Sequence, residues 1–429
     1  MSSSLESASR SVSAWQALRQ TLRTTVVTGF AQAAIQLLGF LGGLIVLRRL
    51  STEEYAWYTV ANAVLGTMTV VSDSGISQSV MAQGGKVWRS HAGLGAVIAE
   101  GIHLRRRFAV WALACSLPIL FLLLRRQHAS VAMALLVSAS IMPLFVASLT
   151  GQLLQVPLRL HQRVGPLQRV LLWGAGLRLV LMTMAVELAP LAWVVSLLSG
   201  LAQNWANWRT RRLAREVADL QERGKPALRE QMLQQVRRTA PYSIYYAFEG
   251  QITVWLVSLL GQARAVAQVG ALGRLAMVFQ IGGLIFAMLW MPRFARMAPG
   301  AAVLRRFWQL QLALACLIVA SVGAVAAAPH AVLWVLGPSY GSLTHEVVLM
   351  SAAGALSLAW GAAYQAAAAR SIVLPPLISV PGPLALQVLL IALLPVGTVS
   401  GVLWLSIASS AALWCVQLAY VTWVETRHR

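Results

Sequence analysis

Four ionisable side chains lie within long apolar stretches of the 429-residue chain: Asp73, Arg178, Glu249 and Arg274. A charged group inside a membrane-spanning helix is costly, so each of these residues is a functional hypothesis by default. Arginine suits a phosphate group, because its planar fork binds phosphate oxygens bidentately and stays charged when water is removed. A carboxylate in a dry site takes up a proton more readily than one in water. The four residues therefore indicate an anion site and ion-responsive groups.

We interpret Arg274 as the first candidate contact for an anionic headgroup in a central cavity, and Arg178 as the second. The alternative is that these arginines pair with Glu249 or Asp73 and hold the helices together. The two carboxylates are also candidate gate or ion-coupling residues. Because Asp73 lies near the end of its apolar stretch, a role at a helix terminus is equally open for it.

Uncharged polar residues in the first two apolar stretches form a second candidate set. Gln32 and Gln36 stand four residues apart and share one helical face, and Asn62 lies in the next stretch. They could line a cavity and bind sugar hydroxyls, or they could form hydrogen bonds between helices. Gly39 and Gly43 have the spacing of closely packed membrane helices.

The chain shows no pattern typical of an enzyme. It lacks a glycine-rich loop followed by Lys and Ser or Thr, so we expect no intrinsic ATPase. Neither a metal-ligand cluster nor a nucleophile–base pair stands out among the seven histidines, and the three cysteines lie in apolar runs. We therefore predict no catalytic residue, no metal and no cofactor.

The composition indicates a helical membrane protein. Apolar residues make up 58% of the chain and charged residues 11%, and the mean hydropathy is +0.69. A soluble protein carries about a quarter charged residues, so a soluble enzyme, a disordered tail and a nucleic-acid domain are excluded. The apolar runs reach roughly 20 residues, twice the length of the strands in a membrane β-barrel. The predicted fold class is all-α and polytopic.

Hydropathy predicts about twelve membrane-spanning helices, each near the roughly 20 residues that a bilayer core requires. The predicted segments are 25–47, 55–81, 108–124, 129–156, 167–187, 189–208, 240–262, 265–291, 307–328, 344–368, 372–394 and 397–424.

The basic residues support this number of helices, because they crowd into alternate loops and both termini. Arg178 and Arg274 lie within the spans. The loops on the opposite side hold only five basic residues, which are Arg48, Arg49, Arg125, Arg126 and Arg264. The positive-inside rule then places both termini in the cytoplasm. The net charge of +21 is explained by loops beside anionic membrane lipids and requires no nucleic-acid partner.

A polar central segment divides the chain into two halves. The predicted parts are a cytoplasmic leader (1–24), an N-lobe (25–208), a cytoplasmic amphipathic linker (209–238) and a C-lobe (239–429). Within the linker we expect two short interfacial helices, separated by Gly224-Lys225-Pro226. Two weakly repeated lobes of six helices around a central cavity are the architecture that alternating-access transporters use.

Several short motifs resemble those of bacterial polysaccharide flippases. The run Leu50-Ser-Thr-Glu-Glu-Tyr-Ala-Trp-Tyr is similar to the Leu-Ser-Pro-Glu-Glu-Tyr-Gly-x-Tyr that follows their first helix, with Thr52 and Ala56 as departures. Asp73-Ser-Gly-Ile resembles the Asp-Leu-Gly-Leu that ends their second helix. Leu336-Gly-Pro-Ser-Tyr looks like their Phe-Gly-x-x-Tyr after helix nine, and Pro292 matches the proline that closes helix eight.

The resemblance is to Wzx-type flippases of the multidrug/oligosaccharidyl-lipid/polysaccharide exporter superfamily. It implies two six-helix lobes around a cavity in the bacterial inner membrane. It also implies movement of an undecaprenyl-diphosphate-linked oligosaccharide between leaflets, for surface polysaccharide synthesis, beside a polymerase and glycosyltransferases. Two alternatives stay open, which are a multidrug or cation exporter of the same superfamily and a membrane-embedded polysaccharide polymerase or ligase. An exporter of cations would favour carboxylates in the cavity.

Overall fold

The computed structural model describes residues 28–295, 301–368 and 380–427, and within these ranges the secondary structure is helical and contains no strand. The predicted leader, 1–24, lies outside the described residues. The first half of the chain forms α1 (Thr28–Arg49), α2 (Thr52–Asp73), α3 (Ile76–Val87), α4 (His91–Arg126), α5 (Val131–Ser140), α6 (Met142–Leu160), α7 (Val164–Leu188) and α8 (Ala192–Arg215).

The second half continues in the same way after an irregular connection. It forms α9 (Pro226–Glu249), α10 (Ile252–Leu260), α11 (Ala263–Ala295), α12 (Ala301–Ala327), α13 (Pro329–Leu336), α14 (Thr344–Ala368), α15 (Pro381–Leu393) and α16 (Val399–Arg427). A 3₁₀ turn, Pro338–Tyr340, precedes α14. Because Gly337 adopts φ 108°, it lets the chain reverse between α13 and this turn. α11 runs three residues past Pro292, the proline that was expected to close it.

Over its described residues, each predicted span falls on one helix or on a pair of consecutive helices. Eight helical segments in the described residues are long and apolar enough to cross a membrane, namely α1, α4, the α5–α6 pair, α7, α11, α12, α14 and α16. The remaining predicted spans fall on α2–α3, α8, α9–α10 and α15, the last of which is only partly described. The chain is therefore a multi-pass membrane protein.

The break between α2 and α3 has a local cause. Ser74 and Gly75 both adopt positive φ values, 40° and 87°, which end α2 and redirect the chain. The side chain of Asp73 then accepts hydrogen bonds from the backbone N–H of Ser77, at 3.1 Å, and from its hydroxyl, at 2.7 Å. The carboxylate therefore supplies acceptors to the otherwise unpaired first turn of α3.

The central linker differs from the expected pair of short interfacial helices. α8 continues to Arg215, residues 216–225 are irregular, and α9 begins at Pro226 and runs unbroken to Glu249. The apolar residues of this region pack on the N-lobe rather than facing lipid: Val217 contacts the α6 and α7 cluster, and Met232 and Val236 pack with α3, α4 and α6. Tertiary burial has replaced the interfacial role that the amphipathic pattern indicated.

The two ends of the bundle differ in how they are packed. We call the end that contains α13 and the turns 50–51, 127–130, 189–191, 261–262 and 394–398 the joined end. The largest hydrophobic cluster lies there and includes residues of both lobes, such as Leu50, Val257 and Leu336. The opposite, basic end holds smaller clusters. Each of them belongs to the N-lobe with the start of α9, or to the C-lobe alone.

Hydrogen bonds also cross between the lobes at the joined end. The guanidinium of Arg48, at the end of α1, donates to the carbonyl oxygens of Val335 at 2.9 Å and Trp334 at 2.7 Å in α13. The buried side-chain amide of Gln127 donates to the carbonyl of Ser258 at 2.9 Å. Within the N-lobe, the backbone carbonyl of Gln127 accepts from the indole N–H of Trp57 at 3.1 Å. The lobes are thus closed on each other at this end.

Close helix packing within the N-lobe leads to a stability prediction. A Cβ at Gly200 in α8 would stand 2.8 Å from the backbone nitrogen of Leu144 in α6, and backbone cannot rotate away as a side chain can. Gly200→Ala should therefore lower the free energy of unfolding by about 1–3 kcal/mol, as overpacking does. Thermal unfolding of the purified protein in detergent measures this change.

Gly176→Ala is the matched control, because a Cβ at Gly176 in α7 would meet no atom within 4 Å. Alanine there should leave the unfolding midpoint unchanged or raise it, since glycine costs about 1 kcal/mol in a helix interior. Equal midpoints for the two variants would contradict the close packing of α6 and α8.

Candidate functional site

Arg274 lies where the lobes meet, about 16 Å along α11 from its start at the joined end. Its Nε donates to the hydroxyl of Tyr55 in α2 across a long 3.4 Å contact. Its guanidinium carbon lies 5.9 Å from the centre of the Tyr58 ring, within the range of a cation–π interaction. A Cβ at Gly43 in α1 would stand 2.8 Å from Nη1, so the guanidinium lies directly over the α1 backbone. One C-lobe arginine thus contacts two N-lobe helices.

The local sequence explains why the two tyrosines are held in place. Ser51 caps α2 by accepting from the backbone N–H of Glu54 at 3.2 Å. The carboxylate of Glu54 in turn accepts from the backbone N–H of Ala192 at 2.6 Å, at the start of α8. Tyr55 follows Glu54 directly, Tyr58 lies one turn after Glu54, and both tyrosines are almost fully buried. The motif that resembles the flippase loop therefore fixes the first turns of α2 and α8 and presents two aromatic rings to Arg274.

Arg274 has no carboxylate partner among the described residues. The salt bridges found there join Arg49 to Glu187, Arg105 to Asp73, Arg163 to Glu216 and Arg229 to Glu100. The alternative interpretation, in which Arg274 is neutralised by Asp73 or Glu249, is thus not what the described side chains do. A cation between packed helices without a counter-ion is costly, and a bound anion would compensate it.

Asp73 lies in a network of its own, about 22 Å along α2 from Tyr58. Its carboxylate pairs with the guanidinium of Arg105 in α4, whose side chain is 1% exposed. Arg105 also donates to the carbonyl of Ser148 at 2.9 Å and to the amide oxygen of Gln152 at 3.0 Å. This ion pair favours the helix-terminal role for Asp73, and its role as a gate stays a prediction.

Arg105 itself corrects an expectation about the N-lobe. The sequence placed it in a cytoplasmic loop before a span at 108–124, whereas α4 begins at His91 and buries it. The basic run Arg105-Arg-Arg concealed this residue, because its burial and its contacts with Asp73, Ser148 and Gln152 are tertiary and its two neighbours are exposed.

Arg178 and Glu249 are not brought to Arg274 by any described contact. Arg178 lies in α7 next to Leu179, which packs on Gly42 of α1. Its buried Nε has no hydrogen-bond partner in the described part of the chain. Glu249 is the last residue of α9, at the break before α10, and it makes no ion pair within the described ranges. Their assigned roles stay predictions.

Gln32, Gln36 and Asn62 lie on the helix faces of α1 and α2 that contact Arg274 farther along. The two glutamines share the face of α1 that meets Arg274 at Gly43, and Gln36 lies about 10 Å farther toward the basic end. Asn62 lies one turn beyond Tyr58 on the same face of α2, and its amide donates to the Tyr58 carbonyl at 2.7 Å. Of the two closely spaced glycines, Gly43 meets Arg274, while a Cβ at Gly39 would meet nothing within 4 Å.

A cleft of neutral polar side chains borders α2, α6 and α8, and sequence reasoning missed it. It encloses about 220 Å³, and its polar lining residues are Thr69, Ser148, Gln152, Gln155 and Gln203. Amides and hydroxyls both donate and accept hydrogen bonds, so this lining suits a ligand rich in hydroxyl groups. The available signal was the presence of glutamines within predicted spans, but only the packing of α6 against α8 brings them together.

Solved structures match the fold of the chain, but no match was found by sequence. No family model and no curated protein sequence matches the chain. A multidrug resistance MATE family transporter of the MOP superfamily, in its inward-facing conformation, superposes with a TM-score of 0.62 at 12% identity, over 92% of this chain and 95% of that chain. The chain has the MATE transporter fold.

Two further MATE structures give similar values. An outward-facing MATE family transporter of the MOP superfamily gives a TM-score of 0.57 at 13% identity, with 94% of this chain and 95% of that chain covered. A MATE structure in the bent conformation gives a TM-score of 0.58 at 13% identity, with 95% of this chain and 97% of that chain covered. These neighbours confirm the predicted all-α fold in two lobes. The flippase branch stays a prediction.

The buried ion pair of this MATE-like N-lobe leads to a second prediction. Removing one partner of a buried pair leaves an uncompensated charge, so Arg105→Ala should lower the free energy of unfolding by about 3–5 kcal/mol. Arg49→Ala breaks a pair whose side chains are 58% and 49% exposed, and should cost about 0–1 kcal/mol. Unfolding in detergent compares the two variants, and equal losses would show that Asp73 needs no partner.

Proposed function

We propose that this protein is an alternating-access transporter that moves an undecaprenyl-diphosphate-linked oligosaccharide across the bacterial cytoplasmic membrane. The observation that carries the proposal is Arg274, a cation between packed helices with no carboxylate partner among the described residues. In this role its free N–H groups bind the diphosphate, for which a guanidinium fork is suited.

The neutral polar groups around Arg274 support a sugar-bearing substrate. Gln36 and Asn62 lie on the α1 and α2 faces below Arg274, and the cleft of Gln152, Gln155 and Gln203 lies farther toward the basic end. We assign these amides to sugar hydroxyls and Arg274 to the diphosphate. Arg178, with its unsatisfied Nε, is a second candidate phosphate contact.

The packing of the two ends supports a cavity that opens at the basic end. Arg48, Gln127 and the large hydrophobic cluster close the joined end, while the clusters at the basic end do not unite the cores of the two lobes. Basic loops lie on the cytoplasmic side of bacterial membrane proteins. On this assignment both termini are cytoplasmic, and the substrate enters from the side on which glycosyltransferases assemble it and leaves toward a polymerase.

A multidrug or cation exporter is the second candidate function. The position of Glu249 favours it. This carboxylate stands at the break between α9 and α10 without an ion pair in the described ranges. Helix breaks at membrane depth are where transporters bind substrates and coupling ions. One neighbour of similar fold is a multidrug resistance transporter. In the proposed flippase, the same carboxylate is an ion-coupling candidate.

Arg274→Ala tests the proposed headgroup contact. A hydrogen bond to a charged group contributes about 1.5–3 kcal/mol, so the variant should bind a fluorescent short-chain polyprenyl-diphosphate oligosaccharide about tenfold more weakly or worse. Its transport into proteoliposomes should fall in parallel. Arg264→Ala is the control, since Arg264 is exposed on the same helix. Unchanged binding by a folded Arg274→Ala protein would remove the assignment.

Glu249→Gln separates the two candidate functions. We expect wild-type proteoliposomes to transport the diphosphate-linked oligosaccharide and to give no saturable uptake of ethidium, a cationic dye. Saturable ethidium transport that Glu249→Gln abolishes and Arg274→Ala leaves intact would instead establish the exporter.

A further inference from the structure

A cleft between α7 and α8 at the basic end is separate from the site around Arg274. It encloses about 430 Å³, and its lining combines two arginines, Arg169 and Arg209, with two tryptophans, Trp173 and Trp205. The rest of the wall is apolar and is made by Pro166, Val170 and Leu213. No Asp or Glu is among the described residues that line it.

The charged and apolar groups are ordered along the cleft. Arg169 lies about 8 Å from the start of α7, and Arg209 about 9 Å from the end of α8, so the two antiparallel helices bring them to the same depth. The tryptophans lie deeper, about 14–15 Å from the same helix ends. From the two arginines the cleft becomes aromatic toward the middle of the bundle, while Pro166 and Leu213 line its outer end.

Both arginines are available to a ligand. Their side chains are exposed, and neither forms a salt bridge in the part of the chain that the structure describes. Arg209 is held by cation–π contacts, 5.7 Å from the Trp205 ring centre and 5.9 Å from that of Trp208. These contacts orient the guanidinium without neutralising it. The ring of Trp173 is 72% exposed, which is an apolar surface that acyl chains can cover.

We propose that this cleft binds an anionic phospholipid of the cytoplasmic leaflet. Arg169 and Arg209 contact the phosphate, and Trp173, Val170 and Trp205 contact the glycerol and the first carbons of the acyl chains. The occupant is a lipid rather than a soluble anion, because the polar lining is confined to the two arginines while the remaining wall is apolar. Basic pockets between membrane helices on the cytoplasmic side bind the anionic headgroups of membrane lipids.

Binding of phosphatidylglycerol to the full chain in neutral detergent tests the proposal, with native mass spectrometry as the readout and diacylglycerol, which lacks the phosphate, as the uncharged comparison. A basic residue near the membrane surface contributes about 1 kcal/mol, or about fivefold in affinity. The double variant Arg169→Ala/Arg209→Ala should therefore bind phosphatidylglycerol about 25-fold more weakly. Its weaker affinity for diacylglycerol should stay unchanged.

The control removes two exposed arginines from the joined end, as Arg126→Ala/Arg264→Ala, and should retain wild-type affinity. Arg169→Lys/Arg209→Lys keeps both charges and should retain most of the affinity for phosphatidylglycerol. If the alanine variant is not monodisperse, Arg169→Gln/Arg209→Gln replaces it as the neutralised variant. Equal phosphatidylglycerol binding by the neutralised and control variants would overturn the proposal. Displacement of the lipid by an equal concentration of inorganic phosphate would also overturn it. Neither result bears on oligosaccharide transport.

Discussion

The first turns of α2 are the point on which both lobes depend. Within one helical turn, Ser51 caps α2, Glu54 supplies the acceptor for the start of α8, and Tyr55 receives the guanidinium of Arg274 from α11. The N-lobe is thus fastened internally and to the C-lobe by neighbouring residues. Arg48 and Gln127 also join the lobes at this end.

The buried charges divide into two kinds, and the difference separates structure from candidate function. Asp73 pairs with Arg105, and Glu100, whose side chain is 1% exposed, forms a two-point contact with Arg229 at 2.9 and 3.2 Å. Such pairs hold α2, α4 and α9 together, because loss of either partner leaves the other charge without a counter-ion. The described contacts of Arg274 are with the Tyr55 hydroxyl, the Tyr58 ring and the α1 backbone at Gly43. A charge that the described protein does not neutralise is one that a ligand can neutralise.

Hydropathy and charge sufficed to predict the helices, since each span must be apolar over a bilayer thickness. The prediction was less accurate where tertiary contacts override a local pattern. The basic run at Arg105 indicates a loop, but Arg105 is buried against Asp73. The amphipathic linker predicts interfacial helices, but its Val217 packs against α6 and α7. The glutamine cleft could not be predicted, because Gln152 and Gln203 meet only through the packing of α6 on α8.

The motifs that carry the resemblance to polysaccharide flippases are turn-forming and lobe-joining elements in this structure. Gly75 and Gly337 supply positive φ values, and Tyr340 is buried within the cluster that closes the joined end. A transporter that alternates between two openings needs such a joint to be stable and yet separable. The tyrosine–arginine contact meets both needs, because it is a long neutral–cation contact rather than an ion pair. In the proposed transporter, an anion that binds Arg274 would compete with Tyr55 for its guanidinium and would so weaken the attachment between α11 and α2.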